Sequence, residues 1–351
     1  MTTTTHNPIL ESAPLGPRWP CLDPFLFCAH HDDAYPASDG RLGVQAVEFE
    51  GREMGSDFSG RNGFSMYHGE GVPGFPGHPH RGFETVTLVR EGLIDHSDSL
   101  GAAARFGGGD VQWLTAGQGI QHSEMFPLLN SERPNPLELF QIWLNLPARS
   151  KMVAPHFTMF WNERIPRLVH ADGNGRKTTV TVVAGELPGA DQPLAPPPES
   201  WAARTEGDVA IWTLELESGA RWTMPRARGA GTHRMLYFFV GRSLGISGQP
   251  VDSHQAMHVA AHDDLELVNT GDDTVELLLL QGRPIGEPVA QYGPFVMNTQ
   301  QEIMQAMQDY RRTGFGGWPW KENDPVHGPE NRRFARYPGA DRDDLPPQSD
   351  R

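Results

Sequence analysis

The chain has little cysteine, a deficit of positive charge and no long apolar run, and each shortage removes a class of protein. Its two cysteines, Cys21 and Cys28, have six residues between them, which matches neither a zinc-knuckle spacing nor a disulfide framework. They read as small apolar side chains. Forty-four acidic residues against 29 basic ones leave a formal charge of −15, which repels nucleic-acid phosphates and anionic membrane surfaces. Direct binding of nucleic acid or membrane is therefore not expected. No stretch approaches the roughly 18 consecutive apolar residues of a membrane helix. Met1-Thr2-Thr3-Thr4-Thr5-His6 is not a basic segment leading into an apolar run. A soluble, cytoplasmic protein is expected. At roughly 150 residues per domain, the 351 residues suggest two domains, each long enough to bury a core.

What the chain does contain is a stretch, residues 78 to 124, that brackets two glycine turns with pairs of ligand-type side chains. It begins His78-Pro79-His80-Arg81-Gly82-Phe83-Glu84 and ends Gly117-Gln118-Gly119-Ile120-Gln121-His122-Ser123-Glu124. Residues two apart on a strand share a face, so His78 and His80 can enter one cavity, as can His122 and Glu124. Glu84, Val86 and Leu88 keep the parity of His80 while Thr85 and Thr87 take the other, the alternation of a half-buried strand. Glu91-Gly92 and Gly107-Gly108-Gly109-Asp110 supply the reversals. Three imidazoles and one carboxylate suit a first-row divalent ion, and four protein ligands on an octahedral ion leave two positions for water, oxygen or substrate. Any one of these histidines alone would read as well as a hydrogen-bonded barrel residue or a surface residue. The two pairs together point to a metal.

Four blocks carry a resemblance to a known family: His78-Pro79-His80-Arg81-Gly82-Phe83-Glu84-Thr85-Val86, Asp110-Val111-Gln112-Trp113-Leu114-Thr115-Ala116-Gly117, Gly119-Ile120-Gln121-His122-Ser123-Glu124-Met125 and Gln291-Tyr292-Gly293-Pro294-Phe295-Val296-Met297-Asn298-Thr299. They resemble pirin, over about Leu22 to Tyr310. The resemblance implies an all-β bicupin, two tandem β-barrels of the double-stranded β-helix or jelly-roll kind, with one non-haem iron in the N-terminal barrel. It implies His78, His80, His122 and Glu124 as metal ligands, the set that strand parity also selects. Glu84 takes the place of the glutamate in the cupin pattern His-x-His-x3-Glu. In pirins that position is not the usual carboxylate ligand, so Glu84 is assigned behind the ligands, where it would orient a histidine. Fe(II) is the ion implied, and Mn, Ni, Co, Cu or Zn would accept the same donors.

Along the chain, residues 1–20, rich in Thr and Pro, read as a flexible arm. Residues 21–150 read as the metal-binding barrel, closed by the strand Leu139-Phe140-Gln141-Ile142-Trp143-Leu144-Asn145-Leu146-Pro147. Within it, His30-His31-Asp32-Asp33 reads as a solvated loop or the rim of a cavity, His96 as a hairpin residue, and Trp113 and Trp143 as core. Residues 151–298 repeat the strand-and-turn pattern without a His-x-His, as a degenerate second barrel. His254, His258 and His262 are spaced by four, but strand and turn patterns surround them, so no second metal site is expected. Thr299 and Glu302 form a capping-box pattern that opens a helix over 299–314, with Ile303, Met304, Met307 and Tyr310 on its packed face. Residues 315–351, poor in aliphatics, read as a disordered tail apart from local docking of Phe315, Trp318 and Trp320.

The resemblance implies two functions. Some pirins are similar to quercetin 2,3-dioxygenase, which opens a flavonol ring with O₂ and releases carbon monoxide. A flavonol-like aromatic substrate and O₂ would then be the partners, with Glu124 as the catalytic proton acceptor. Other family members are described as transcription cofactors that act through a protein partner, with the iron as a redox sensor. The complete ligand set favours the enzyme, acting as a monomer.

Overall fold

The structure is a computed structural model of the chain, and it describes residues 7–347. Residues 1–6, read above as lacking a leader, and 348–351, the end of the expected tail, lie outside the described residues. The described chain is built of β-strands, short 3₁₀ turns and one α-helix, Gln300–Thr313. It divides into two compact units, each with its own core.

One unit comprises His30–Ile142, Leu146–Glu163 and the chain from Glu287 onward. Its strands form two five-stranded sheets. The first runs in the order His156–Phe160, Val111–Thr115, Phe83–Glu91, Asn135–Asn145, Phe25–Tyr35. The second runs Phe334–Arg336, Ala103–Gly107, Leu93–Asp98, Ile120–Met125, Gly74–His80. Val89, Ile94, Phe106, Leu114, Ile120 and Leu139 meet in the core between them. Val89 and Leu114 settle which parity of the Phe83–Glu91 strand faces inward: Phe83, Thr85, Thr87 and Val89 do, and Glu84, Val86 and Leu88 lie on the other face. The expected half-buried alternation is not there: Phe83 to Val89 are all buried, and the parity facing the core between the sheets is that of Thr85 and Thr87.

The other unit holds a seven-stranded sheet and a four-stranded one. The seven strands are ordered Ile9–Pro14, Gln255–Val259, His233–Val240, Val275–Gly282, Ala210–Leu216, Lys177–Ala184, Arg167–Ala171. Val180, Leu214, Phe238, Leu277 and Leu279 alternate into its core, and removing each from water stabilises the unit by roughly 1.5–3 kcal/mol.

Both chain ends are more ordered than their composition suggests. In the expected flexible arm, Ile9–Pro14 pairs antiparallel with Gln255–Val259, Ser12 opposite Met257, and Trp19 stacks on Tyr237 at 5.1 Å. An edge strand needs only backbone N–H and C=O groups, so a Thr- and Pro-rich sequence can still fill it. The expected disordered tail adds the strand Phe334–Arg336 to Ala103–Gly107, with Phe334 opposite Arg105. Several of its side chains are partnered: Trp320 Nε1 donates to the Asp98 carbonyl at 2.8 Å, Arg333 Nη1 donates to Asp110 at 2.8 Å, and Asp344 accepts from Trp161 Nε1 at 2.9 Å. His30-His31-Asp32-Asp33 is also strand rather than loop. The helix has its capping box, with Thr299 Oγ1 accepting from Glu302 N, and buries Ile303 and Ala306, while Met304 points outward at 58% exposure.

The tail is tied down at a buried ion pair. Arg105 Nε and Nη2 reach the two Asp95 oxygens at 2.6 Å each, Arg105 Nη1 donates to the Glu330 carbonyl at 2.5 Å, and His327 N donates to Asp95 at 2.7 Å. Asp95→Ala would strand the Arg105 charge in a dry environment, so we expect a loss of about 3–5 kcal/mol in urea unfolding. A loss within the roughly 0.5 kcal/mol of an ordinary surface substitution would show that this pair does not hold the tail.

Candidate metal centre

The strand Gly74–His80 lies antiparallel to Ile120–Met125 with His78 opposite His122 and His80 opposite Ile120. Between Phe75 and His78 the register slips by one residue, so Phe75 faces Glu124 while two steps on the partner strand bring His122 to His78. Such a bulge re-aims side chains. Here the Phe75 ring lies 6.3 Å from that of His78. Gly74 makes the approach possible: a Cβ there would sit 2.4 Å from the Glu124 carbonyl oxygen. Gly82, at φ +85°, turns the chain into the next strand where a Cβ would collide with the Val296 carbonyl at 1.9 Å.

The three histidine rings form a near-equilateral triangle, with centroids 4.5 Å apart for His78 and His122 and 4.8 Å for each pair with His80. One nitrogen from each lies within 4.8 Å of the others. His78 Nδ1 is 2.9 Å from the Pro76 carbonyl, to which it donates, and that tautomer leaves Nε2 with its lone pair free for an ion. The Pro294 carbonyl accepts a bond from the His80 ring. Burial pushes the His78 imidazole down to about 4 and those of His80 and His122 well below their ordinary range, with mutual repulsion adding to the effect. All three are therefore neutral at pH 7, the state a metal requires.

Glu124 lies beside this triangle, its Oε2 3.8 Å from His122 Nε2. Thr87 Oγ1 is 3.0 Å from Glu124 Oε1, and Gln141 Nε2 donates to Oε2 at 3.0 Å. Burial raises the Glu124 carboxyl, and the nearby His96 and these two hydrogen bonds pull it partly back. Of the four expected ligands the structure thus brings three into one cluster and holds the fourth at its edge. Glu84, fully buried, lies on the strand face opposite to that of Thr87 and accepts from Thr115 Oγ1 at 2.7 Å.

Three neighbours were not legible as site residues. His96 stands opposite Glu124 and Asp98 opposite His122, with the His96 and His122 rings 5.5 Å apart; His96 is a neighbour of the site as well as a hairpin residue. Gln141 belongs to the strand read as closing the first barrel. A sign was available for Thr87, since a threonine on the inward face of a barrel strand seeks a polar partner. His254, His258 and His262 come together in no cluster; among the described residues the one group of three or more metal-ligating side chains is His78, His80 and His122.

The donor set fits a metal ion on the structure's own terms. Both His122 ring nitrogens are buried without a hydrogen-bond partner, as are Thr85 Oγ1 and both amide atoms of Gln112, which stands across from Thr87. Each buried polar group left so costs about 1–3 kcal/mol. A buried imidazole of the triangle with both nitrogens unmet is a donor suited to a metal ion.

The family model for pirin matches residues 16–144, and that for the pirin C-terminal cupin domain matches residues 211–316. A Pseudomonas aeruginosa protein provisionally named quercetin 2,3-dioxygenase is 35% identical over 238 residues, spanning 68% of this chain and 78% of its own length. Pirin of Mus musculus is 35% identical over 265 residues, 74% of this chain and 84% of its own. The chain belongs to the pirin family. A crystal structure of quercetin 2,3-dioxygenase from Acinetobacter baumannii matches this pirin with a TM-score of 0.66 at 25% identity, covering 88% of this chain and 98% of that one. The two tandem cupin domains expected from the sequence are thus present. Among the described residues no helix is long and apolar enough to cross a membrane.

Next to the site, this pirin buries a second polar chain. His31 Nδ1 lies 2.7 Å from Tyr67 Oη, which donates to Asp33 at 2.7 Å, and the Tyr67 ring stacks on Phe75 at 5.1 Å. Burial lowers His31 from 6.5 to about 4 and raises Asp33 from 3.8 to about 6. The unfolded chain therefore protonates His31 at a pH where the folded protein does not, and stability is lost as pH falls from 6.5 towards 4, at up to roughly 1.4 kcal/mol per unit. Asp33 acts in the opposite sense below about 6. His31→Gln removes only the first contribution. Between pH 6.5 and 5 the variant should lose about 2 kcal/mol less than the parent in urea unfolding; parallel pH profiles would contradict the assignment.

Proposed function

We propose that this pirin is a metal-dependent dioxygenase of the quercetin 2,3-dioxygenase type, acting on a flavonol-like aromatic substrate with O₂. The observation that carries this reading is the convergence of three neutral imidazoles, ring centroids 4.5–4.8 Å apart, with His122 buried and without a hydrogen-bond partner. His78, His80, His122 and Glu124 would hold one divalent ion, Fe(II) foremost, with Mn, Ni, Co, Cu or Zn accepted by the same donors. When bound, such an ion supplies Lewis acidity that lowers the pKa of a substrate hydroxyl. Glu124 Oε2 would take that proton, with Thr87 and Gln141 keeping the carboxylate aimed. The rings of Phe75 and Phe83 flank His78 and His80 and offer apolar surface to a planar substrate. The names of the Pseudomonas and Acinetobacter proteins support the substrate class. A soluble cytoplasmic monomer is the accompanying proposal.

The test is oxygen uptake by protein loaded anaerobically with Fe(II), on addition of quercetin, with detection of carbon monoxide. The parent should consume oxygen, and Glu124→Ala should be slower by roughly 10²–10⁴-fold. A correctly loaded parent that takes up no oxygen would contradict the enzyme and favour a redox-sensing protein acting through a protein partner. Metal analysis gives an independent check. His80→Ala should retain no stoichiometric iron after desalting, and Thr87→Val, which frees the Glu124 carboxylate, should weaken metal affinity by about 10–100-fold. Unchanged iron content in His80→Ala would remove that ligand from the set.

A further inference from the structure

The second barrel has no metal-ligating cluster among the described residues, yet it is not solid. It contains a cavity of about 420 Å³ whose mixed polar and apolar lining includes Leu187, Val209 and Trp212. Arg226 and Arg228 line it from exposed positions, and Arg234 lines it from the sheet. Pockets of this size take small organic molecules, typically about 300–1,000 Å³.

Arg234 is the unusual member. It lies on the interior strand His233–Val240, is 1% exposed, and stands opposite Gln281 on the neighbouring strand. Its Nε and Nη2 both donate to Gln281 Oε1, at 2.9 and 2.5 Å. Gln281 is pinned in that orientation because its own Nε2 donates to the Asp208 carbonyl at 3.1 Å. The buried guanidinium is thus held by a neutral acceptor, and its Nη1 has no hydrogen-bond partner. A buried guanidinium normally takes a bidentate carboxylate, and an apolar residue at such a position is often the more stable choice.

The nearby acids do not meet this need. Asp208 Oδ2 accepts from Gly229 N at 2.9 Å and Thr232 Oγ1 at 2.8 Å, and its Oδ1 is 3.6 Å from Arg228 Nε. Glu186 is engaged by Arg228 at 2.6 Å. Among the described residues Arg234 is thus a buried cation without a direct anion at the wall of this cavity, while Arg226 stands unpaired at its exposed rim. Glu186, Asp191 and Asp208 also line the cavity and disfavour a dianion.

We propose that this cavity binds a small organic monocarboxylate, its carboxylate on Arg234 and its hydrocarbon or aromatic body against Trp212 and Leu187. Arg226, which has no ion pair among the described residues, draws the anion in from the rim. The inference does not depend on the reading of the histidine site.

Calorimetric titration of the metal-loaded full chain with benzoate tests it, beside benzyl alcohol, which keeps the ring and loses the charge, and inorganic phosphate, which keeps charge and loses the ring. Benzoate should bind once per chain, at least tenfold more tightly than either control. Arg234→Gln should weaken benzoate at least tenfold. Gln281→Glu gives Arg234 a resident carboxylate; it should fold, and also weaken benzoate at least tenfold. His122→Ala should leave the affinity unchanged, which separates this cavity from the histidine site. Benzoate binding that survives both Arg234→Gln and Gln281→Glu, binding lost in His122→Ala, phosphate matching benzoate, or no benzoate binding at millimolar concentration would each overturn the proposal.

Discussion

His78 faces His122 across one antiparallel rung, and most of what is distinctive in the first barrel serves or follows from that pairing. The rung brings imidazoles together in a cavity that strips them of water, holds them neutral and leaves His122 without a hydrogen bond. Unmet polar groups of this kind are among the more expensive things a core can contain. The surrounding strands keep them from collapsing onto one another. The Pro76 carbonyl fixes the His78 tautomer, Thr87 and Gln141 hold Glu124, and the bulge after Phe75 sets the angle of approach.

The same accounting explains why the chain ends are ordered. A tail poor in aliphatics cannot bury enough apolar surface to fold by itself. It can complete a sheet edge and neutralise buried charge, and it does both at Arg105, whose guanidinium is shared by Asp95 and the Glu330 carbonyl. The tail also reaches the hairpin behind the site, with His327 Nε2 2.8 Å from the His96 carbonyl and Trp320 on the Asp98 carbonyl. The N-terminal arm applies the edge-strand logic to the other unit.

Period-two alternation was enough to read an all-β chain and to pair His78 with His80 and His122 with Glu124, because strand geometry acts between near neighbours in sequence. It could not say which parity of the Phe83–Glu91 strand faces inward, since both parities are buried. The inward reading of Glu84, and the omission of Thr87, came from that ambiguity. His96, Gln141 and the tail were missed for a different reason: their partners are distant in sequence, and only the register of the sheets brings them together. Arg234 is the extreme case. Nothing in Met235-Leu236-Tyr237-Phe238 suggests that the arginine before it points into a core, and Gln281 lies 47 residues away.

The proposed metal centre rests on the His78, His80 and His122 triangle. Anomalous diffraction from crystals of the protein grown anaerobically with Fe(II) tests it most directly. One anomalous peak per chain is expected, within bonding distance of a nitrogen from each of the three rings. Iron bound elsewhere, or no peak at the triangle in crystals holding stoichiometric iron, would contradict it.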